Sequence, residues 1–259
     1  MQKSKALRRI VIPYSMIAHL SESDRYSLHL LGHIFNETMV LLKLAYTTSI
    51  KREDCTDAEV AASVCQATLF CRLLAGKIHE AQLRLNSKEV RVFLTNCCYP
   101  YVPDEAGPTL LAAFNTAASQ CKWLNAARNG HSMHYPSLQH WQAALTTLSE
   151  NKAGFELICG KLDGDILYHS SDAMAGLAFF HEVDPADWRT GAETMIRELQ
   201  QLGDRLGEFI QTILRSFVLR AKDEFAGAVG SITVETLPPF YAPDFDHFEV
   251  PYFFSVSED

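Results

Sequence analysis

The sequence predicts a mainly all-α fold: an antiparallel helical bundle with a small β-hairpin insertion near residues 153–170 and a long C-terminal helix. Three observations carry this expectation. Apolar residues recur at helical spacing over 57–85 and, with heptad regularity, over 188–213. Helix-start signatures stand at Ser21 with Asp24 and at Asp184-Pro185-Ala186-Asp187. Strand-like texture is confined to short runs around Asp163-Gly164 and at 232–236.

The elements follow in order. Lys3, Lys5, Arg8 and Arg9 before Ile10-Val11-Ile12 imitate the opening of a signal peptide. Pro13 stops that apolar run and no small-residue cleavage site follows, which excludes the assignment. The first helix is expected to bury Leu28, Leu31, Phe35, Met39 and Leu42. On another of its faces His29, His33 and Glu37 share i,i+4 spacing; metal ligands can be spaced so, but the set reads as a solvated polar face.

The second helix, 57–85, is expected to pack through Val60, Val64, Ala67, Cys71, Leu74, Ile78, Ala81 and Leu85. Lys77, Glu80 and Arg84 flank that seam and read as a salt-linked exposed face, with Lys77 and Glu80 as auxiliary site candidates. Asn96, Pro100, Pro103 and Gly107 mark a short helix and an irregular connection. A third helix is expected from near Pro108, carrying Arg128 at its far end, with Gly130 ending or bending it. Pro136 fits the first turn of a fourth helix holding Leu138, Trp141, Leu145 and Leu148.

Beyond residue 151 two short apolar runs flank Asp163-Gly164 as a hairpin, and Ser170-Ser171-Asp172 is expected to cap a helix ending by Glu182. A hydrolase triad of His169, Ser170 and Asp172 is set aside, because residues adjacent in sequence rarely form one. A helix from Asp184 to about Phe225 would be roughly 60 Å long at 1.5 Å per residue, and is expected to lie along the bundle or along a second subunit. The tail carries a strand at 232–236 and then an aromatic, proline-containing arm. Two regions result: a helical domain over 1–182, and the long helix with its arm over 183–259.

Composition narrows the function classes. The 259 residues carry a net charge of −8, which argues against a broad basic surface for nonspecific nucleic-acid binding while leaving room for a local positive pocket. The seven cysteines, none in CxxC spacing, read as inert thiols in a reducing compartment, including the vicinal pair Cys97-Cys98. No stretch reads as a membrane span, so a soluble, cytoplasmic protein is expected.

The chemistry concentrates in ARNGHSMHYP, residues 127–136. Helical spacing back from Arg128 meets Leu124, Cys121, Ala117, Phe114 and Leu110, so Arg128 is expected on the inward face of its helix. A guanidinium there needs an anion, carbonyls or a subunit boundary, because an unpaired buried charge is prohibitively costly. Arg128 can hold a phosphoryl group through paired donors and stabilise charge that grows in a transition state. An imidazole, here that of His134, is a side chain that can take a proton from a ribose 2′-hydroxyl or give one to a leaving oxygen. Asn129 can orient either group. Together they suffice for metal-independent RNA cleavage by internal transesterification, with no cofactor.

R-N-x4-H between two helices of an α-bundle resembles the motif of the HEPN superfamily: Arg, usually a polar residue such as Asn, and His a few positions on. LLAGKIHEA, residues 73–81, together with ARNGHSMHYP looks like bacterial HEPN proteins of abortive-infection and toxin–antitoxin systems. The resemblance covers 21–148 and departs at two positions, the small Ala127 before the Arg and Met133 before the His. It implies a HEPN-like four-helix-type core, homodimers that bring two motifs into one cleft, and metal-independent ribonuclease activity in many members, others being noncatalytic. The expected function is thus an endoribonuclease of phage defence or a toxin pair, with RNA as substrate and a neutralising antitoxin or defence partner. Arg128, Asn129 and His134 would be catalytic, and His131 auxiliary. The rival is a silent interaction module whose long helix and aromatic tail bind a partner.

Overall fold

Helix formation here follows apolar spacing and local caps, and the fold is mainly α-helical. The computed structural model describes residues 3–5, 7–49, 52–132, 134–161, 164–225 and 232–253. Met133 and Asp163, both singled out in the sequence, lie outside the described residues. In chain order the elements are β1 (Lys3–Lys5), β2 (Arg8–Val11), α1 (Tyr14–Ile17), α2 (Glu22–Thr47), α3 (Asp57–Leu85) and α4 (Lys88–Phe93). A π-helical turn (Leu94–Cys98) and two 3₁₀ turns lead to α5 (Ala106–Gln120) and α6 (Trp123–Ala127). After a second π turn (Arg128–Ser132) come α7 (Leu138–Glu150), β3 (Ile158–Cys159), β4 (Ile166–Leu167), α8 (His169–Val183), α9 (Trp188–Phe225), β5 (Thr233–Thr236) and β6 (Phe240–Ala242).

The chain divides into two compact units. The first comprises Met1–Thr38, Glu80–Ser119 and Leu202–Asp244. Its sheets are two antiparallel pairs, β1 with β6 and β2 with β5, so the basic N-terminal segment is a strand partner of the tail. Its core is aromatic: Phe93, Phe114, Phe209 and Phe217 are buried with Leu31, Leu111, Leu206 and Ile213. Gly107 is needed there, since a Cβ would lie 2.7 Å from the Tyr99 ring. Cys97 and Cys98 are buried free thiols, and burial pushes the Cys98 thiol far above its usual range.

The second unit comprises Met39–His79, Gln120–Gln201 and Phe245–Asp259. Leu74, Ile78, Trp123, Leu124, Phe179, Met195 and Leu199 form its core. The β3–β4 hairpin is clamped to the start of α8 by Ser170, whose Oγ accepts from Glu156 N at 2.6 Å and donates to Gly154 O at 3.2 Å. Ser170 therefore does not cap α8 as expected; Tyr168 holds the N-cap position and makes no side-chain capping bond. The arm packs on its own chain in this unit, where Phe245 stacks on Tyr46 at 4.5 Å and Val250 N donates to Thr47 O at 2.8 Å.

Several faces are rotated from the expected ones. In α2 the buried line is Ser27, Leu31, Ile34 and Thr38, a clean i,i+4,i+7,i+11 stripe that includes two hydroxyls. Ser27 satisfies its own by donating to Ser23 O at 2.9 Å, so the polar atom is buried at little cost. In α3 the C-terminal half of the seam is buried as expected, but Val60 and Val64 are exposed while Ala62 and Thr68 are buried. By length and composition α3 is long and apolar enough to cross a membrane, contrary to the sequence expectation, although only 28% of its most apolar window is buried.

α9 begins four residues after Asp184. Asp184 Oδ1 accepts from Ala186 N and Asp187 N in a tight turn. Asp187 then caps the helix, accepting from Arg189 N and from the Thr190 hydroxyl at 2.7 Å. The heptad residues Met195, Leu199, Leu202, Leu206, Phe209 and Ile213 are all buried within this chain.

Candidate functional site

The helix expected to run from Pro108 to Arg128 is broken at Cys121 and Lys122, where Lys122 N bonds Gln120 O and Leu124 N bonds Cys121 O. The break lets Cys121, Trp123 and Leu124 all point inward, which an uninterrupted helix cannot do for positions two apart. Trp123 anchors the new register: its ring meets Phe179 edge-on at 5.8 Å, and its Nε1 donates to Glu198 Oε2 at 2.6 Å.

α6 then widens into the π turn Arg128–Ser132. The inward line of this segment runs through Leu124, Ala127 and His131, at i,i+3,i+7 spacing. Arg128 is half-buried rather than inward, and its Nη1 donates to Asn129 Oδ1 at 2.7 Å. Asn129 is exposed and donates through Nδ2 to Asn125 Oδ1 at 3.1 Å, so the pair is braced by the preceding turn. Gly130 is buried under α7, where an added Cβ would lie 3.1 Å from the His140 ring. Ser132 closes the turn by donating to Ala127 O at 3.0 Å and to the carbonyl of Arg72 on α3.

His131 is buried, and neither ring nitrogen has a hydrogen-bond partner among the described residues. It lies between the rings of Phe179 at 5.7 Å and His140 at 5.9 Å. Burial, and after it the nearby His140 and Arg72, push its pKa from 6.5 down to about 4. Glu182 Oε1 stands 3.7 Å from its Nε2, but a neutral imidazole makes no ion pair, so this contact is a near miss at neutral pH. The pH-responsive group of the turn is thus turned inward, and an auxiliary acid–base role for His131 at neutral pH is not what this placement favours.

His134 is exposed on the far side of the turn, and Tyr135 beside it is fully exposed. α7 starts at Leu138, one residue beyond a Ser137 cap in which His140 takes the reciprocal position; Pro136 precedes the cap instead of opening the helix. Lys77 and Glu80 are both half-buried on α3, which Ser132 reaches at Arg72. On α2, His33 Nε2 lies 3.5 Å from Glu37 on an exposed face. The turn therefore gathers Arg128 and Asn129 directly, and presents His134 two residues beyond its end.

Two cavities in the second unit escaped the sequence reading. One, of about 460 Å³, is lined by residues of the arm and by the facing ends of α2 and α3. Its one guanidinium, Arg52, is engaged by Glu59 at 2.5 Å and Glu249 at 3.3 Å. The other, of about 260 Å³, lies among α3, α8 and the start of α9 and has Asp172 and Cys65 in its wall. Only the i,i+3 pair His169 and Asp172 on α8 hinted at it in the sequence. No protein-family model, curated protein or solved structure matches the chain significantly.

Proposed function

We propose that the chain is a metal-independent endoribonuclease that uses the turn between α6 and α7. One observation carries this reading: the bonded Arg128–Asn129 pair and the exposed His134 occupy one short turn, with His131 and Ser132 holding its inner side. His134 takes the proton of a ribose 2′-hydroxyl, whose oxygen attacks the adjacent phosphorus. The bond to the 5′-oxygen breaks and that oxygen acquires a proton, leaving a 2′,3′-cyclic phosphate and a 5′-hydroxyl. Arg128 stabilises the charge that grows on the nonbridging oxygens, and Asn129 fixes its guanidinium. Tyr135, fully exposed, offers a face on which a flanking base can stack.

In this proposal the resemblance to HEPN proteins sets the context: a homodimer in which two turns share one phosphate-sized cleft, working in phage defence or against a neutralising antitoxin, in the cytoplasm. A silent interaction module is the second reading, favoured by the apolar surface of Tyr135 and Leu138, the latter 73% exposed, immediately after the turn.

The deciding experiment incubates RNA with the purified chain in EDTA, using Arg128→Ala and His134→Ala beside the wild type. Cleavage that ends in cyclic phosphate and falls by about 10² to 10⁴ in either variant supports the ribonuclease. Neither side chain is buried in the core, so both variants should melt within about 0.5 kcal/mol of wild type. No cleavage by the wild type, or equal cleavage by all three, removes it in favour of the interaction module.

A further inference from the structure

The 260 Å³ cavity of the second unit has a division that suits one kind of small ligand. Its walls are apolar: Val64 on α3, Ala173, Leu177 and Phe180 on α8, and Trp188 opening α9. Phe180 and Trp188 stack at 6.5 Å with their planes 20° apart, and the Arg189 guanidinium covers Trp188 at 4.4 Å from its ring. The aromatic wall is therefore braced on both sides. Val64 leaves 57% of its surface exposed, an unusual exposure for a branched apolar side chain beside a formed cavity.

The polar part of the wall is anionic. Asp172 projects from α8 with Cys65 opposite it on α3, and burial, followed by the nearby Asp172 carboxylate, pushes the Cys65 thiol up to about 12. The thiol is thus a weak neutral donor. Arg72, about two turns further along α3, feels Asp172 electrostatically but makes no ion pair with it among the described residues. The remaining lining side chain that can carry charge, His169, has its Nδ1 3.3 Å from Glu156. A half-buried carboxylate without an ion-pair partner, at the edge of a mostly apolar wall, offers an acceptor to a cationic donor.

We infer that this cavity binds a small primary amine with an apolar, ring-sized body, its ammonium on Asp172 and its body against Phe180 and Trp188. The volume suits such a ligand: at about 30 Å³ per water it displaces roughly nine waters. The inference stands apart from RNA cleavage at the α6–α7 turn and does not depend on it.

Calorimetric titration of the full chain at pH 7 tests this with three probes of one shape: 2-phenylethylamine, 2-phenylethanol and phenylacetate. The amine should bind with a Kd of the order of 1 mM or tighter, as suits a ligand of this size. It should bind at least about tenfold more tightly than the alcohol, and phenylacetate more weakly still. Asp172→Asn should bring the amine down to the level of the alcohol, and Ala173→Trp, which fills the cavity, should weaken all three probes. Equal affinity for the three probes, an amine preference that survives Asp172→Asn, or no saturation by about 10 mM amine would overturn the proposal. If Asp172→Asn fails to fold, probe selectivity on the native chain and its loss in Ala173→Trp decide the question.

Discussion

The buried imidazole of His131 makes the α6–α7 turn sensitive to acid, with a sign and size that can be worked out. Above the ordinary imidazole pKa of 6.5 both folded and unfolded chains hold His131 neutral, and it contributes no pH dependence. As pH falls below 6.5 the unfolded chain takes up a proton, while the folded one, with its pKa lowered to about 4, does not. Stability from this residue is therefore intact above about 6.5 and is lost progressively down to about 4. Each pKa unit is worth about 1.36 kcal/mol, so the full loss is about 3 kcal/mol, of which about 2 kcal/mol falls between pH 7.5 and pH 5. His131→Phe keeps a ring between Phe179 and His140 and removes both unpartnered nitrogens. Some strain from the larger ring is expected at every pH, so the slope and not the absolute value is the readout. Urea unfolding of wild type and variant at pH 5, 6 and 7.5 should give curves whose difference changes by about 2 kcal/mol, the variant gaining at low pH. Parallel curves would mean that His131 titrates normally in the folded chain and that the burial argument is wrong.

Three further substitutions probe helix packing, Gly191→Ala and Trp123→Phe in the second unit and Gly32→Ala in the first. Gly191 lies so close to α8 that a Cβ would meet the Phe180 carbonyl carbon at 3.0 Å, with its oxygen nearer still. Backbone cannot yield as a side chain can, so Gly191→Ala should lose at least about 2 kcal/mol, whereas Gly32→Ala, with nothing within 4 Å, should gain about 0.5–1 kcal/mol. Thermal melts showing equal effects would refute the close approach. Trp123→Phe removes the donor to Glu198 and should cost about 1.5–3 kcal/mol, as for a hydrogen bond to a charged group. In a double-mutant cycle the loss should shrink in a Glu198→Ala background, and strict additivity would show that the bond contributes nothing.

The fold class was legible because most of its determinants are local. The heptad residues of α9 from Met195 to Ile213 are buried as their spacing predicts, and the hairpin and the 233–236 strand stand where turn chemistry and β-branched residues put them. Faces were less legible, for a definite reason. In α2 the periodicity of large apolar residues selects Leu28, Phe35 and Met39, yet the buried line holds Ser27 and Thr38. A hydroxyl that bonds its own helix is cheap to bury, so a count of apolar residues misplaces the stripe by about one position. The same blindness to small residues hid Ala62 on α3 behind Val60 and Val64. Strand pairing between the N-terminal segment and the tail has no sequence signature, since its partners are more than two hundred residues apart.

Within ARNGHSMHYP the sequence reading assigned the wrong inside: His131 is buried and Arg128 is only half-buried. That inference assumed 3.6 residues per turn from Leu110 to Arg128, and the interruption at Cys121 and Lys122 broke the register. Nothing in ARNGHSMHYP announces a π turn. Its stabilising contacts are tertiary, namely Ser132 on the Arg72 carbonyl, His140 against Gly130, and Phe179 beside His131. Arg72 shows why such residues stay hidden. Its carbonyl closes the turn while its guanidinium, with Nε buried and unpartnered, lowers the His131 pKa and feels Asp172 in the wall of the cavity. One residue of α3 thus touches the turn through its backbone and both His131 and Asp172 through its charge. A helical wheel would record it only as an arginine at the margin of an apolar seam. The position acquires its meaning from tertiary contacts, because Ser132 reaches its carbonyl on α3 and His131 faces Glu182 on α8 while Arg128 is half-buried and Asn129 exposed.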